Sequence, residues 1–501
     1  MPNSSKKSIP SRPSTIDSTS NPLTTRTVDL NSSVNSIIIL VLLAAAATRL
    51  ASALGDLAID EIWSWYFASQ AIHKLSDVFA LRHDNNHLLN TIVMYTLGPA
   101  VPDIVYRLPA ALGSIASVIT ATWIAGRRGN GVNSLFTSVL VGASYLLILY
   151  GSEARGYSYA VVFGYLSWFC LLRMDKTRDW RDALGFALCA SLGFLGHLTF
   201  LYCFAGFAVW GLWKWLVRPS WLIPIAFVPP TTVAGLLYLY FIRGMAIGGG
   251  PESTLISALI STLSLVSGGP MYDDLALLMA GLSTVWLAAG FVHLWRTDRA
   301  IALSHVTIIV AAPAIVLFFT GHQLIYPRYF LIPIAFALLV MGDVSASWWK
   351  QGGRFGQLCT VGMVGLFLVG NANWTRLLIP DGRGDYSGAM RWMAQQTSEP
   401  PATVSSDHDF RNGLIFAYYS ERLWSKEPPL RYLDQRTLQG RPTDWLIRHN
   451  FEGDPTLPSQ LVDPAGNAYE LQRVFPHRSL TGWNWRVYRK SNANLKQAQF
   501  R

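Results

Sequence analysis

The stretch LGDLAIDEIWSW (54–65) decides how the chain reads, because of what precedes it. Residues 37–54 are almost all Ile, Leu, Val and Ala, broken only by Thr48, Arg49 and Ser52, which is the composition of a membrane-spanning helix. Asp56, Asp60 and Glu61 follow at once, among Trp63, Trp65 and Tyr66. Aromatic rings suit the headgroup level, but carboxylates there are costly unless they face water, a metal or a substrate. Two readings of Asp60–Glu61 compete. In one, a carboxylate is the general base for an acceptor hydroxyl while its neighbour fixes geometry, with Asp60 or Glu61 as the ligand of any divalent cation such as Mg or Mn. In the other, the pair is a solvated acidic cap at a helix N-terminus.

Composition supports a membrane setting. Of 501 residues, 51% are hydrophobic and only 14% charged, whereas a soluble domain carries about 25% charged residues. The 19 Trp and 20 Tyr fit aromatic belts at two interfaces. A net charge of +10 would suggest nucleic acid as the partner of a soluble protein. Here the basic residues of the membrane part fall mostly in short breaks between apolar runs, and no zinc-finger spacing or basic, aromatic-interleaved stretch accompanies them, so nucleic acid is not expected. Cys170, Cys189, Cys203 and Cys359 all lie inside apolar runs and read as packing residues. Residues 1–33, rich in Ser, Thr, Asn and Pro, read as a disordered cytoplasmic tail.

Spans are predicted at roughly 34–54, 105–125, 134–151, 157–173, 183–200, 201–217, 221–242, 274–295, 302–320, 329–346 and 357–373, about eleven in all. Every second break is basic: Arg127–Arg128; Arg173, Lys176, Arg178 and Arg181; Lys214 and Arg218; Arg296 and Arg299; Lys350 and Arg354. The positive-inside rule puts these breaks and the N-terminus in the cytoplasm. The outer face then receives the loop 55–104, the turn 150–157, His197, the loop 243–273 and the turn 321–330. Within 55–104, residues 61–75 and 88–98 have helical spacing, the second ended by Gly98-Pro99. The loop 243–273 is Gly/Ser-rich with an apolar piece at 255–266, a candidate lid.

Residues 34–373 thus form the predicted catalytic membrane domain, and 374–501 change character. Helical patterns at 385–397 and 413–424 lie among short strand patterns at ATVSSD, LRYLDQ, DWLIRH, AYELQRVF and WNWRVYRK, the signature of a small α/β domain. Asp407-His408-Asp409 within it reads as a solvated loop rather than a metal cluster.

Three further groups bear on chemistry. His83 and His87 in RHDNNHLLN (82–90) are four apart, but the intervening Asp84-Asn85-Asn86 favours a polar turn with one histidine near substrate over a helical metal pair. Glu153-Ala-Arg155-Gly-Tyr157 places a carboxylate and a guanidinium between two spans, either as a simple interfacial pair or as a phosphate ligand. Arg328, in Tyr326-Pro-Arg328-Tyr329, opens a span from the outer side, as a second phosphate ligand or as a snorkelling residue. His197 reads as an interfacial histidine close to these groups.

The motifs DE (60–61), NNHLLN (85–90), YRLPAALGS (106–114), YGSEARGYSYA (150–160), YPRYFLIP (326–333) and GDYSGAMRWMAQQ (384–396), in this order and sidedness, resemble the GT-C superfamily of polytopic glycosyltransferases. The branch is that of bacterial protein O-mannosyltransferases and the lipid A aminoarabinose transferase. The resemblance implies an inverting transferase in the inner membrane. It would take a sugar from a polyprenyl-phosphate donor to a lipid, glycan or protein acceptor at the outer face, with the C-terminal domain periplasmic or extracellular. By motif it implies Asp60 and Glu61 as catalytic acids and Arg155 and Arg328 as ligands of the donor phosphate. The pocket would be completed by His83, Asp84, His87, Glu153, Tyr157, His197 and Tyr329. One departure stands out: relatives commonly have His-Pro-Pro-Leu where this chain has Asn86-His87-Leu88-Leu89. The rival class is a transporter or lipid flippase, which would carry midplane polar residues on broken helices in repeated halves; no internal repeat is visible.

Overall fold

The computed structural model describes residues 30–248, 254–320, 325–438, 440–451, 457–463, 465–478 and 480–491. The tail expected to be disordered lies outside these residues, apart from 30–33, which already belong to the first helix.

In chain order the membrane part comprises α1 (Leu30–Ser52), α2 (Ile59–Tyr66), α3 (Asp77–Ala80), α4 (Leu88–Leu97), α5 (Asp103–Arg128), α6 (Gly131–Ala143), α7 (Tyr145–Gly151), α8 (Tyr157–Thr177) and α9 (Trp180–Gly196). It continues with α10 (Phe200–Val217), α11 (Leu222–Leu237), α12 (Leu255–Val266), α13 (Asp274–Thr297), α14 (Arg299–Val306), α15 (Ala312–Thr320), α16 (Leu331–Gln351) and α17 (Gly353–Asp381). Among the described residues, eight helices are long and apolar enough to cross a membrane, or nine if the bent pair α6–α7 counts as one span. This is a multi-pass membrane protein. All eleven expected runs are helical, yet two fall short of that test. Helix α9 has only 17 residues, and α8 dilutes its apolar run with Tyr157, Ser158, Tyr159, Ser167 and Arg173.

The break between α6 and α7, a bend of 57°, has an identifiable cause. A broken helix in an apolar medium needs its freed backbone groups satisfied by neighbours. Arg49 of α1, wholly buried, donates to the carbonyls of Val141 (3.0 Å) and Gly142 (2.8 Å) and to Ser114 Oγ (2.8 Å). Asn371 Oδ1 accepts from the Tyr145 amide at 2.7 Å. The bend turns α7 so that it delivers the segment Ser152–Arg155 to one end of the bundle.

Helix α17 runs unbroken to Asp381, past the expected domain boundary at 373. The C-terminal part then forms α18 (Tyr386–Gln395), β1 (Ala402–Ser406), α19 (Leu414–Leu423), β2 (Leu430–Tyr432), α20 (Gln435–Leu438), β3 (Trp445–Asn450), β4 (Gln460–Val462), β5 (Ala468–Phe475) and β6 (Asn484–Lys490). The six-stranded sheet has order β2-β1-β3-β6-β5-β4, with β1 parallel to β2 and β3 and the other pairs antiparallel. Its core, including Val404, Ile415, Phe416, Trp445 and Trp485, is continuous with Leu57, Ile62 and Trp65 of the first loop. The sheet domain is therefore built onto the loop carrying Asp60.

Candidate active site

The segment between α1 and α2 is wound around one side chain. Arg107 of α5, fully buried, donates to the carbonyls of Ala53 (3.2 Å), Leu54 (3.3 Å), Gly55 (3.0 Å) and Asp56 (2.7 Å). Gly55 turns there with φ +87°, a conformation that favours glycine. The sheet domain holds the same segment from above. The Leu57 amide donates to the Tyr419 hydroxyl (2.6 Å), and Ser387 Oγ donates to Asp56 Oδ1 (2.9 Å). Tyr418 and Tyr419 donate to Asp103 at the start of α5. Burial pushes the Asp56 carboxyl up to about 6, against the lowering effect of the Ser387 hydrogen bonds.

Asp60 and Glu61 then part company. The Glu61 carboxylate, with no exposed surface, accepts from Arg107 Nε (2.7 Å) and Nη2 (2.6 Å) and from the amides of Ala154 (2.7 Å) and Ala58 (2.9 Å). Expected as a catalytic acid beside Asp60, it faces away from the cavity and into a buried network. Glu153 is the network's second acid: Arg383 Nε lies 3.3 Å from its Oε1, and Arg155 Nη1 lies 3.8 Å from its Oε2. Burial pushes the Glu153 carboxyl up despite Arg383, whereas Arg107 outweighs burial and holds Glu61 below the usual carboxylate range. Glu153, expected in the pocket, sits behind it.

Asp60 faces a cavity of about 130 Å³, also lined by Trp63, Asp84, His87, Arg155, Tyr157, His197, Arg328 and Tyr329. Its Oδ2 lies 2.9 Å from Arg155 Nη1 and 2.9 Å from Arg328 Nη1. Burial raises the Asp60 carboxyl, but Arg155 and Arg328 overcome it and hold the group below the ordinary range. The two expected phosphate ligands thus converge on one oxygen. Tyr157 supports Arg155 under its guanidinium (4.9 Å), and Tyr326 and Tyr329 flank Arg328 (5.4 and 5.3 Å).

His87 and His197 stack on each other (4.7 Å), and Tyr157 stacks on His197 (4.4 Å). Burial and the nearby guanidiniums push His197 down to about 3; burial, His197 and the same guanidiniums hold His87 well below the histidine range. The neutral form of both rings is thereby favoured. They meet because Gly156 and Gly196 let the start of α8 touch the end of α9. A Cβ on Gly156 would lie 1.9 Å from the Gly196 carbonyl oxygen. His83 is not on a helix and does not share a face with His87; it packs on Trp63 (4.3 Å) and bonds to Asp84 (2.9 Å). No three His, Cys, Asp or Glu side chains converge as metal ligands among the described residues. In this arrangement Asp60 Oδ2 is shared by two guanidiniums and the Glu61 carboxylate is held by Arg107, so neither acid on which the sequence left a divalent cation open is without a cationic partner.

Sequence reasoning missed Arg107 and Arg383, which build the network, and Asn85. The Asn85 amide donates to the Asp60 carbonyl (2.8 Å) and accepts from Arg155 (3.2 Å). The Asn85-Asn86 turn was the available signal. A second cavity, about 710 Å³, is lined almost wholly by apolar side chains of α12, α13, α15 and α16 and includes Phe330, two residues beyond Arg328. At the far end of α5, Arg127, Arg128, Arg173, Lys176 and Lys214 line a third cavity, so basic breaks gather away from Asp60. The 26 residues of α5 separate the two ends by about 39 Å.

The chain is a helical membrane bundle carrying a small mixed sheet over one end. The chain is similar in fold to ArnT from Cupriavidus metallidurans in the apo state, at 13% identity over 91% of this chain and 98% of that one, with TM-score 0.50. The same protein bound to undecaprenyl phosphate aligns at 12% identity over 93% and 99%, TM-score 0.49. The arabinofuranosyltransferase AftD from Mycobacteria aligns at 14% over 92% of this chain and 40% of that one, TM-score 0.46. No known family profile and no curated protein sequence matches the chain.

Proposed function

We propose that the protein is an inverting glycosyltransferase. It moves a sugar from a polyprenyl-phosphate donor to a lipid, glycan or protein acceptor at the outer face of the inner membrane. The observation that carries this reading is the pair of guanidiniums, Arg155 and Arg328, both 2.9 Å from Asp60 Oδ2. Two converging arginines suit a phosphate, and the Asp60 carboxylate occupies their shared anion position. The apolar cavity beside Arg328 offers room for a prenyl chain. The gathering of basic breaks at the opposite end supports a cytoplasmic N-terminus and an outer active site.

In this reading the donor phosphate takes over the two guanidiniums, and Asp60 loses the charges that hold its pKa down. Its basicity rises as the acceptor arrives. Asp60 then takes the acceptor proton while the acceptor oxygen bonds to the anomeric carbon from the face opposite the phosphate. The bond from the anomeric carbon to the phosphate oxygen breaks, and the electron pair leaves with polyprenyl phosphate, stabilised by Arg155 and Arg328. Glu61 acts through Arg107 and the Ala154 amide as the anchor that keeps Asp60 and Arg155 in register.

Purified protein supplied with radiolabelled polyprenyl-phosphate sugars and with membrane lipids and glycans is expected to release polyprenyl phosphate. Asp60→Asn should lower kcat by about 100-fold or more. Turnover that survives this substitution refutes the assignment of Asp60, and labelling that places Asp60 in the cytoplasm refutes the sidedness.

A further inference from the structure

The inner wall of the Asp60 cavity holds more polar capacity than the phosphate clamp uses. Asn86 Oδ1, His87 Nε2 and the Tyr157 hydroxyl are buried with no hydrogen-bond partner among the described residues, and all three residues line the cavity. His87 is 5% exposed and Tyr157 2%. An unpaired buried polar group is costly, and a ligand that pairs these three would relieve that cost on one wall. Their chemistry is of one kind. An amide oxygen accepts, a phenol donates and accepts, and a neutral imidazole does either, as suits sugar hydroxyls.

Of the two carboxylates on the lining, Asp60 holds Arg155 and Arg328, and Asp84 is 2.9 Å from His83. An ammonium on the ligand would lie near two guanidiniums, which repel it. A sugar carboxylate would compete with the donor phosphate for those guanidiniums. Burying either charge unpaired is heavily disfavoured.

We propose that Asn86, His87, Tyr157 and His197 form a recognition surface for the hydroxyl groups of an uncharged donor sugar, which selects against amino sugars and sugar acids. The inference rests on the glycosyl-transfer reading and deepens it by naming the class of sugar.

The test compares binding, by protection from thermal unfolding, of four donors on one polyprenyl phosphate. They carry arabinose, mannose, 4-amino-4-deoxyarabinose or galacturonate, and bare polyprenyl phosphate is the reference. A neutral sugar is expected to bind most tightly. Tyr157→Phe, which keeps the ring stack and removes only the hydroxyl, should weaken it about five- to tenfold while changing bare polyprenyl phosphate by less than about twofold. His87→Gln should behave likewise. Preference for the amino or acidic sugar, or sugar donors binding no better than the bare lipid, overturns the inference and leaves the lipid-donor reading standing. An equal loss for bare lipid and sugar donor in both variants assigns these side chains a structural role and also overturns it. Failure of bare polyprenyl phosphate to bind refutes the lipid-donor reading and this inference with it.

Discussion

Glu61→Gln separates architecture from chemistry at the two adjacent acids. All four contacts of the Glu61 carboxylate are with donors, two from Arg107 and two from backbone amides. A glutamine keeps one acceptor oxygen and turns an amide NH₂ toward the remaining donors. It also leaves Arg107, wholly buried, without its counter-charge. Removing one partner of such a pair destabilises by about 3–5 kcal/mol. Asp60→Asn is milder, because the side chains of Asp60 and Arg328 are 26% and 18% exposed and water screens the loss to about 1–2 kcal/mol. The assay is the half-life of the monodisperse detergent-purified protein on heating, a kinetic measure suited to irreversible unfolding. If the network breaks before the unfolding transition state, Glu61→Gln shortens the half-life by about 150- to 5000-fold, and Asp60→Asn by about 5- to 30-fold. A Glu61→Gln protein as long-lived as the parent yet inactive refutes the anchoring role and returns Glu61 to the chemistry.

Other consequences follow from the same contacts. Gly156→Ala drives a Cβ into the Gly196 carbonyl, and the resulting displacement of Arg155, about 1 Å, should lower turnover by about 100-fold; wild-type kinetics would refute the close approach. Because Asp56 is raised to about 6 in the fold, the folded state binds its proton before the unfolded state does. Stability from this group is present below about pH 4, falls as pH rises to about 6, and stays low above it. Asp56→Asn should therefore stabilise the protein at pH 7 by on the order of 2 kcal/mol and flatten that dependence, as read by thermal half-life from pH 4 to 8. With both cavity histidines pushed far below neutrality, the pH–rate profile should show no limb from them between about pH 5 and 8; a limb that vanishes in His197→Gln refutes their neutral assignment.

Much of the fold was legible because a membrane imposes a coarse rule, a long apolar run per span, that local composition can express. The rule marks apolar surface and not helix ends. The last expected span ended at 373, yet α17 continues through Arg376 and Pro380 to Asp381. In the sheet domain, β1, β3, β5 and β6 coincide with runs rich in β-branched and aromatic residues. The three-residue edge strand β4, Gln460–Val462, has no such run and was not anticipated. In the site, Asp60, Arg155 and Arg328 were visible singly as charges stranded beside apolar helices. Their partners were not. Arg107 reaches Glu61 across 46 positions, Asn85 reaches Arg155 across 70, and Arg383 reaches Glu153 across 230. No local spacing encodes such pairings.

The divergence of Asp60 and Glu61 was nevertheless implicit once the segment was taken as a helix. Successive side chains on an α-helix are turned by about 100° from one another, so two adjacent acids in a first turn cannot address the same small ligand. With α2 starting at Ile59, one of the pair had to face inward and be neutralised there. The core-facing position is fixed by the pattern of Ile62 and Trp65, which are buried with Glu61, while Trp63 lines the cavity with Asp60. The apolar periodicity of the short helix therefore selects Asp60 as the acid that meets the substrate. It also requires a buried cation for Glu61, and Arg107 supplies it.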